Sequence, residues 1–238
     1  MKLSFQTAGL PTWPVLLVKT PVDAADRPAI AGKLRAIREL GAKDVFFLAP
    51  PQGKGVVRVE TVTGAVSGTA LLLGGLSFAV GRGIRRDKKL PVEIGGSDAP
   101  CTVQINPLAG HGAADLPLPL WMGSRPFLSE AEPAPMVCLP GLVCVLHSGE
   151  ALPEEAVLAP ALDTLARENE VPAAAALLWN FRAGSLSAVR WQAGEAGCTA
   201  LPCGVAAAGA AAAWSARHGI DGHHRLTIRQ PGGALDTE

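Results

Sequence analysis

The chain has 238 residues, 48% of them hydrophobic, and its 21 Lys and Arg residues balance 21 Asp and Glu. That length suits one large or two small globular domains. With no excess of positive charge to neutralise phosphates, nucleic-acid binding has no electrostatic support, and five cysteines in no regular pattern argue for a reducing compartment over a disulfide framework. The opening M-K-L-S-F-Q-T-A-G-L-P lacks the apolar core of a secretory signal, so a cytoplasmic home is expected.

In chain order, Pro14 to Lys19 reads as a strand. Asp26 is placed to cap a helix that buries Ile30, Leu34, Ile37 and Leu40 and that Gly41 ends. Val45 to Ala49 reads as a strand, P-P-Q-G-K-G as a turn, and Val56 to Val62 as the return strand. A loop rich in Gly, Ser and Thr leads into a helix after Leu73, and Leu90 to Ile94 is the next strand. The second half repeats the order. Leu142 to His147 is a strand, and Pro153-Glu154-Glu155 opens a helix that reaches about Asn169 with a kink at Pro160. Ala174 to Phe181 and Leu186 to Trp191 flank the turn R-A-G-S. A helix from Gly204 to His218 and a strand from Leu226 to Ile228 complete the series.

The stretch Thr61 to Gly81, followed by Arg82, Arg85, Arg86, Lys88 and Lys89, has the length and the basic flank of a membrane span. Ten of its 21 residues are Gly, Ser or Thr, which favours a core helix with a glycine-rich entry. The same pattern also recurs 130 positions later. Thr69-Ala70-Leu71-Leu72-Leu73-Gly74 reappears as Thr199-Ala200-Leu201-Pro202-Cys203-Gly204, and Val59 and Gly64 match Val189 and Gly194 without a gap. A repeat in both motif and element order implies two similar lobes, and it weighs further against a membrane span within 61–81.

Several chemical motifs fail on spacing. Cys198 and Cys203 are too far apart for C-x-x-C. Gln52 to Gly55 and the glycines from Gly74 to Gly83 lack the G-K-[ST] ending of a phosphate loop. The run H-G-I-D-G-H-H from His218 to His224 reads as a turn after a helix in preference to a metal site. The basic cluster after Gly81 reads as a solvated helix end, where cations complement the dipole.

With the order of elements in place, four segments resemble the diaminopimelate epimerase family. T-A-G-L-P-T-W-P-V-L-L-V (Thr7 to Val18) stands where that family has H-G-L-G-N-D-F-V-V-I-D. A-L-L-L-G-G-L-S (Ala70 to Ser77) stands for A-E-M-C-G-N-G-A. W-Q-A-G-E-A-G-C-T-A-L-P-C-G (Trp191 to Gly204) is similar to W-E-R-G-V-G-E-T-L-A-C-G with two extra residues, and P-G-G-A-L-D (Pro231 to Asp236) to P-G-G-D-L-E. The resemblance implies an α+β fold of two pseudo-symmetric lobes, residues 1–118 and 119–238, each a curved sheet around a central helix. It also implies a small carboxylate or amino-acid-like ligand in the cleft between lobes, with no cofactor and no metal.

The family's epimerases work with one cysteine per lobe, each at a helix start where backbone N–H groups hold the substrate carboxylate and help to lower the thiol pKa. The resemblance assigns the second-lobe thiol to Cys203 and the first-lobe position to Leu73, which carries no exchangeable proton. Ligand contacts are expected from Thr12, Leu73, Gly74, Gly75, Thr199, Gly204 and Val205. Thr12 replaces the family's Asn, Gln192-Ala193 its Glu-Arg, and Cys198 its second Glu, and no N-P-H occurs near Gly141. Diaminopimelate epimerisation is therefore rejected. Three readings remain: a one-thiol isomerase, a non-catalytic ligand- or partner-binding relative, and Cys203 as a plain core residue. The family continues with further strands after P-G-G, where only Leu235 to Glu238 remain. Either another strand replaces them or an edge is left for a second subunit, which favours a homodimer.

Overall fold

The computed structural model describes residues 3–10, 13–109, 111–128, 132–180, 183, 185–194, 197–200, 209, 218, 226–230 and 233–237. The chain divides into two compact units, Met1–Pro117 and Leu118–Glu238.

In the first unit, β1 (Phe5–Leu10) and β2 (Trp13–Val18) form an antiparallel hairpin. A crossover through α1 (Arg27–Arg35) brings β3 (Asp44–Ala49) parallel to β2, and β4 (Val57–Glu60) returns antiparallel to β3. A second crossover through α2 (Gly68–Gly81) sets β5 (Lys88–Ile94) parallel to β4. Then β6 (Cys101–Asn106) and β7 (His111–Ala114) complete a seven-stranded sheet in sequence order.

The second unit has the same wiring. Its leading strand is β8 (Trp121–Arg125), followed by the hairpin of β9 (Ala134–Leu139) and β10 (Leu142–His147). A crossover through α3 (Glu155–Glu168) brings β11 (Ala173–Asn180) parallel to β10, and β12 (Ser185–Gln192) returns antiparallel, with the short β13 (Cys198–Ala200) beside it. Finally β14 (Leu226–Gln230) lies parallel to β12 and pairs with β15 (Gly233–Thr237). The sheet order is β15-β14-β12-β11-β10-β9-β8. The last strand thus starts at Gly233, the final residue of P-G-G.

Two expectations need correction. The first helix stops at Arg35, and a separate 3-10 turn, Arg38–Leu40, precedes Gly41 in the left-handed region at φ +57°. That break leaves Ile37 42% exposed, so Ala31 and Leu34 carry the burial. Second, α2 begins five residues before Leu73. Ser67 is extended at φ −146° and accepts a hydrogen bond from the Ala70 N–H at 3.2 Å, while the Leu71 N–H donates to the Ser67 carbonyl at 3.1 Å. This is an N-cap, and it makes Leu73 an interior helical residue. As expected, the stretch 61–81 holds a core helix in place of a span: α2 has only 14 residues, and no helix among the described residues is long and apolar enough to cross a membrane.

The α2 helix packs on the sheet through its glycines. A Cβ at Gly74 would run into Val59 Cγ2, and one at Gly75 would lie 3.0 Å from Val103 Cγ1, so the bare backbone is what lets α2 seat on β4 to β6. On the α1 side, Leu16, Val18, Val45 and Phe47 from the strands pack with Ala31 and Leu34.

Candidate functional site

The second crossover of the first unit offers the local geometry that the sequence expected at Leu73, but earlier in the chain. Gly64, at φ +80°, turns the chain after β4; Thr61 Oγ1 donates to the Ala65 carbonyl at 2.9 Å; Ser67 then caps α2. The N–H groups ahead of the first intrahelical bond belong to Gly68 and Thr69. Leu73, 8% exposed, and the buried Gly74 and Gly75 sit in the second and third turns, where helical N–H groups are bonded to carbonyls one turn back. The helix-start argument for ligand contacts therefore moves from Leu73, Gly74 and Gly75 to Gly68 and Thr69.

In the second unit, Gly194 repeats Gly64 at the same φ of +80°. Thr199 lies on β13, opposite Arg190 of β12, and its Oγ1 is buried without a hydrogen-bond partner. Cys203, Gly204, Val205 and Thr12 lie outside the described residues. Within the expected helix, Gly209 and His218 are helical, and a Cβ at Gly209 would lie 3.4 Å from both Cys144 Sγ and Val137 Cγ1.

The four described cysteines are poor candidates for an activated thiol. Burial pushes the Cys138 thiol up, and Cys101 is raised by burial and then by the Asp115 charge. Cys198 is raised by burial and secondly by Glu155, whose Oε1 accepts the Cys198 N–H at 2.8 Å. Cys144 is fully buried.

A charged cluster that sequence reasoning missed lies on the α1 side of the first sheet. Glu93, 5% exposed, accepts backbone N–H bonds from Gln52 at 2.7 Å, Gly53 at 2.8 Å and Gly55 at 2.9 Å. These bonds, Gln52 foremost, hold its carboxyl below the usual range against the opposing effect of burial, and Arg58 adds to the lowering. The turn is thus a small anion nest filled by the protein's own carboxylate. Arg58 also bonds Glu60 Oε1, and Arg27 Nη1 lies 3.5 Å from Glu60 Oε2. The signal was present in V-R-V-E and L-P-V-E-I, where charged residues interrupt otherwise apolar strands.

No family model and no curated protein matches the sequence. Solved structures do. A predicted epimerase from Pseudomonas aeruginosa superposes with a TM-score of 0.64 at 17% identity, covering 99% of this chain and 91% of that one. The fold is diaminopimelate epimerase-like. A putative phenazine biosynthesis PhzC/PhzF protein from Clostridium difficile strain 630 agrees, with a TM-score of 0.57 at 12% identity over 99% and 90% of the two chains. Within this epimerase-like fold, α2 is the helix enclosed by the first sheet. The twofold wiring of β2-α1-β3-β4-α2-β5 and β10-α3-β11-β12 followed by β14 bears out the repeated order of elements, but the motif match fails, since Thr69 and Ala70 lie within α2 whereas Thr199 and Ala200 lie on the strand β13.

Proposed function

We propose that this chain is a divergent isomerase-type protein that binds a small carboxylic or amino acid and does not perform two-thiol epimerisation. The observation that carries the reading is Leu73, buried inside α2 with no proton to give or take. Inversion at a carbon needs a titratable group on each face, and Leu73 leaves the first unit without one at the position that the resemblance assigns. In this reading Cys203 is the remaining acid–base group. It takes a proton from one carbon of the acid and delivers it to a neighbouring position on the same face, which is a proton shift and not an inversion. The carboxylate is held by backbone N–H groups at a helix start, for which Gly68 and Thr69 are the first unit's candidates. The likeness in fold to a predicted epimerase over nearly the whole chain supports this ancestry.

The test is solvent-deuterium incorporation, read by NMR, across a panel of amino and carboxylic acids. Diaminopimelate should not exchange. Leu73→Cys should not rescue it, because the new thiol would be buried within the helix–sheet packing. Epimerisation of diaminopimelate by the unmodified chain would overturn the reading. For an acid that does exchange, Cys203→Ser should abolish incorporation. Thermal stabilisation by an acid without any incorporation would favour the non-catalytic relative instead.

A further inference from the structure

Five cations, Arg82, Arg85, Arg86, Lys88 and Lys89, fall in one short stretch whose only acid is Asp87. All five are exposed. In a chain whose 21 Lys and Arg equal its 21 Asp and Glu, this cluster leaves the remainder net acidic. Among the described residues, none of the five enters an ion pair or a side-chain hydrogen bond, and Arg82 alone has a ring contact, over Phe78 at 5.5 Å.

The helix dipole explains little of this. The end of α2 is already closed by backbone: the Gly83 N–H donates to the Val80 carbonyl at 3.1 Å and the Ile84 N–H to Ala79 at 2.9 Å, with Gly83 in the left-handed region at φ +68°. The dipole acts within the last turn, which reaches Arg82 and leaves the other four cations without a structural role.

The chain path brings apolar side chains to the same end of the unit. Lys88 pairs with Ile105 and Lys89 with Gln104, so the start of β5 lies beside the end of β6 and the turn after it. That turn carries Leu108, 76% exposed, and the last turn of α2 carries Val80, 59% exposed. Bare aliphatic side chains add nothing on a phosphate backbone, and neither 79–89 nor 107–109 contains an aromatic residue on which a base could stack. Cations beside aliphatic side chains match a surface with anionic headgroups over an apolar layer.

We propose that this end of the first unit docks on an anionic lipid surface. The five cations meet the headgroups, and Val80 and Leu108 enter the boundary with the acyl chains. The surface is independent of the carboxylate reading above, since none of its residues is a ligand contact there.

The experiment sediments the full chain with vesicles of phosphatidylcholine alone and of an equimolar mixture with phosphatidylserine, at low and high salt. The mixed vesicles should carry the protein down at low salt and release most of it at high salt, and phosphatidylcholine alone should not retain it. The double variant Arg85→Gln, Arg86→Gln should bind the mixed vesicles about tenfold or more weakly, because each basic side chain contributes separately to attraction by the leaflet. Val80→Ser with Leu108→Ser should also weaken that binding, and it should leave more of the protein free at every salt concentration. Melting temperatures should match the parent, because all four side chains are exposed. Retention by phosphatidylcholine alone, no retention by mixed vesicles at low salt, or a charge variant that binds as the parent does would each overturn the surface. An aliphatic variant that binds unchanged, or an oligonucleotide bound as tightly as the mixed vesicles, would reduce the patch to a general polyanion site and overturn the lipid assignment.

Discussion

Beneath α1, the first unit sets Phe47 of β3 opposite Glu60 of β4; the same step of the second unit sets Ala176 of β11 opposite Val189 of β12. The correspondence rests on register, since Val18 pairs with Phe47 and Val145 with Ala176 across the parallel joins, and it corrects the ungapped match of Val189 to Val59, because Val59 faces α2 whereas Val189 packs with α3. One face has a large ring in the strand and only Ala31 and Leu34 buried from a nine-residue helix. The other has alanines in the strand and Leu158, Leu162, Leu165 and Ala166 from a helix of 14. Volume has moved from strand to helix at constant topology. The polar content differs as well. Where the first unit buries Glu60, the second packs Val189 among apolar neighbours. A duplicated wiring diagram thus preserves strand pairing while the interior chemistry drifts, because packing constrains summed volume and satisfied polar groups more than residue identity.

The largest test of that contrast is Glu93→Ala. It would leave the N–H groups of Gln52, Gly53 and Gly55 without their acceptor and Arg58 with Glu60 alone as its counter-charge, at a cost of about 3–5 kcal/mol in urea unfolding. A loss below about 1 kcal/mol would mean that water replaces the carboxylate and that the ionic face is incidental. The pH dependence follows from the lowered carboxyl. A group depressed in the folded state adds stability above its unfolded pKa, and that contribution is lost as pH falls through the lower folded value. Acid unfolding of the parent should therefore show an acid-side loss of stability that Glu93→Gln flattens. Val189→Ala, at the apolar counterpart of Glu60, should change stability without altering this pH profile.

The order of elements was legible because α3, β10, β11 and β12 carry strong periodicity or unbroken apolar runs. The strands that went unread divide by cause. β7 and β8 are largely exposed, so no alternation marks them. By contrast, β6 alternates buried and exposed through C-T-V-Q-I, and β9 is buried throughout; both signals were available. The start of α2 was misplaced because the apolar run of leucines drew attention past Ser67, whose cap three residues before Ala70 is the real boundary. That Asp23 and Asp26 stand at N-cap positions without a side-chain cap was invisible for a different reason. An N-cap letter in a sequence does not say whether its side chain caps.

Gly74→Ala is the second test, and it asks whether the helix seat matters more than helix propensity. In an exposed helix this change is worth about 1 kcal/mol of gain. Here the new methyl would meet Val59 Cγ2, and overpacking should reverse the sign to a loss of about 1–3 kcal/mol. Adding Val59→Ala should restore part of that loss in a double-mutant cycle, whereas simple additivity would show that the two residues do not touch.

The smallest effect gives the cleanest comparison, because it concerns the one backbone feature that the two units share by number as well as by place. Gly64 and Gly194 follow the return strand of each unit, both at φ +80°, and an added Cβ would meet nothing within 4 Å at either site. Replacement by alanine therefore costs backbone strain alone, about 1–2 kcal/mol at each position, partly offset by the stiffer unfolded chain. The two losses should be equal and additive, and asparagine, which tolerates the left-handed region better, should cost less than alanine at both. If Gly64→Ala unfolds the protein much more than Gly194→Ala, the entry to α2 is bearing a load that its counterpart in the second unit does not share, and the repeat would then be one of wiring only.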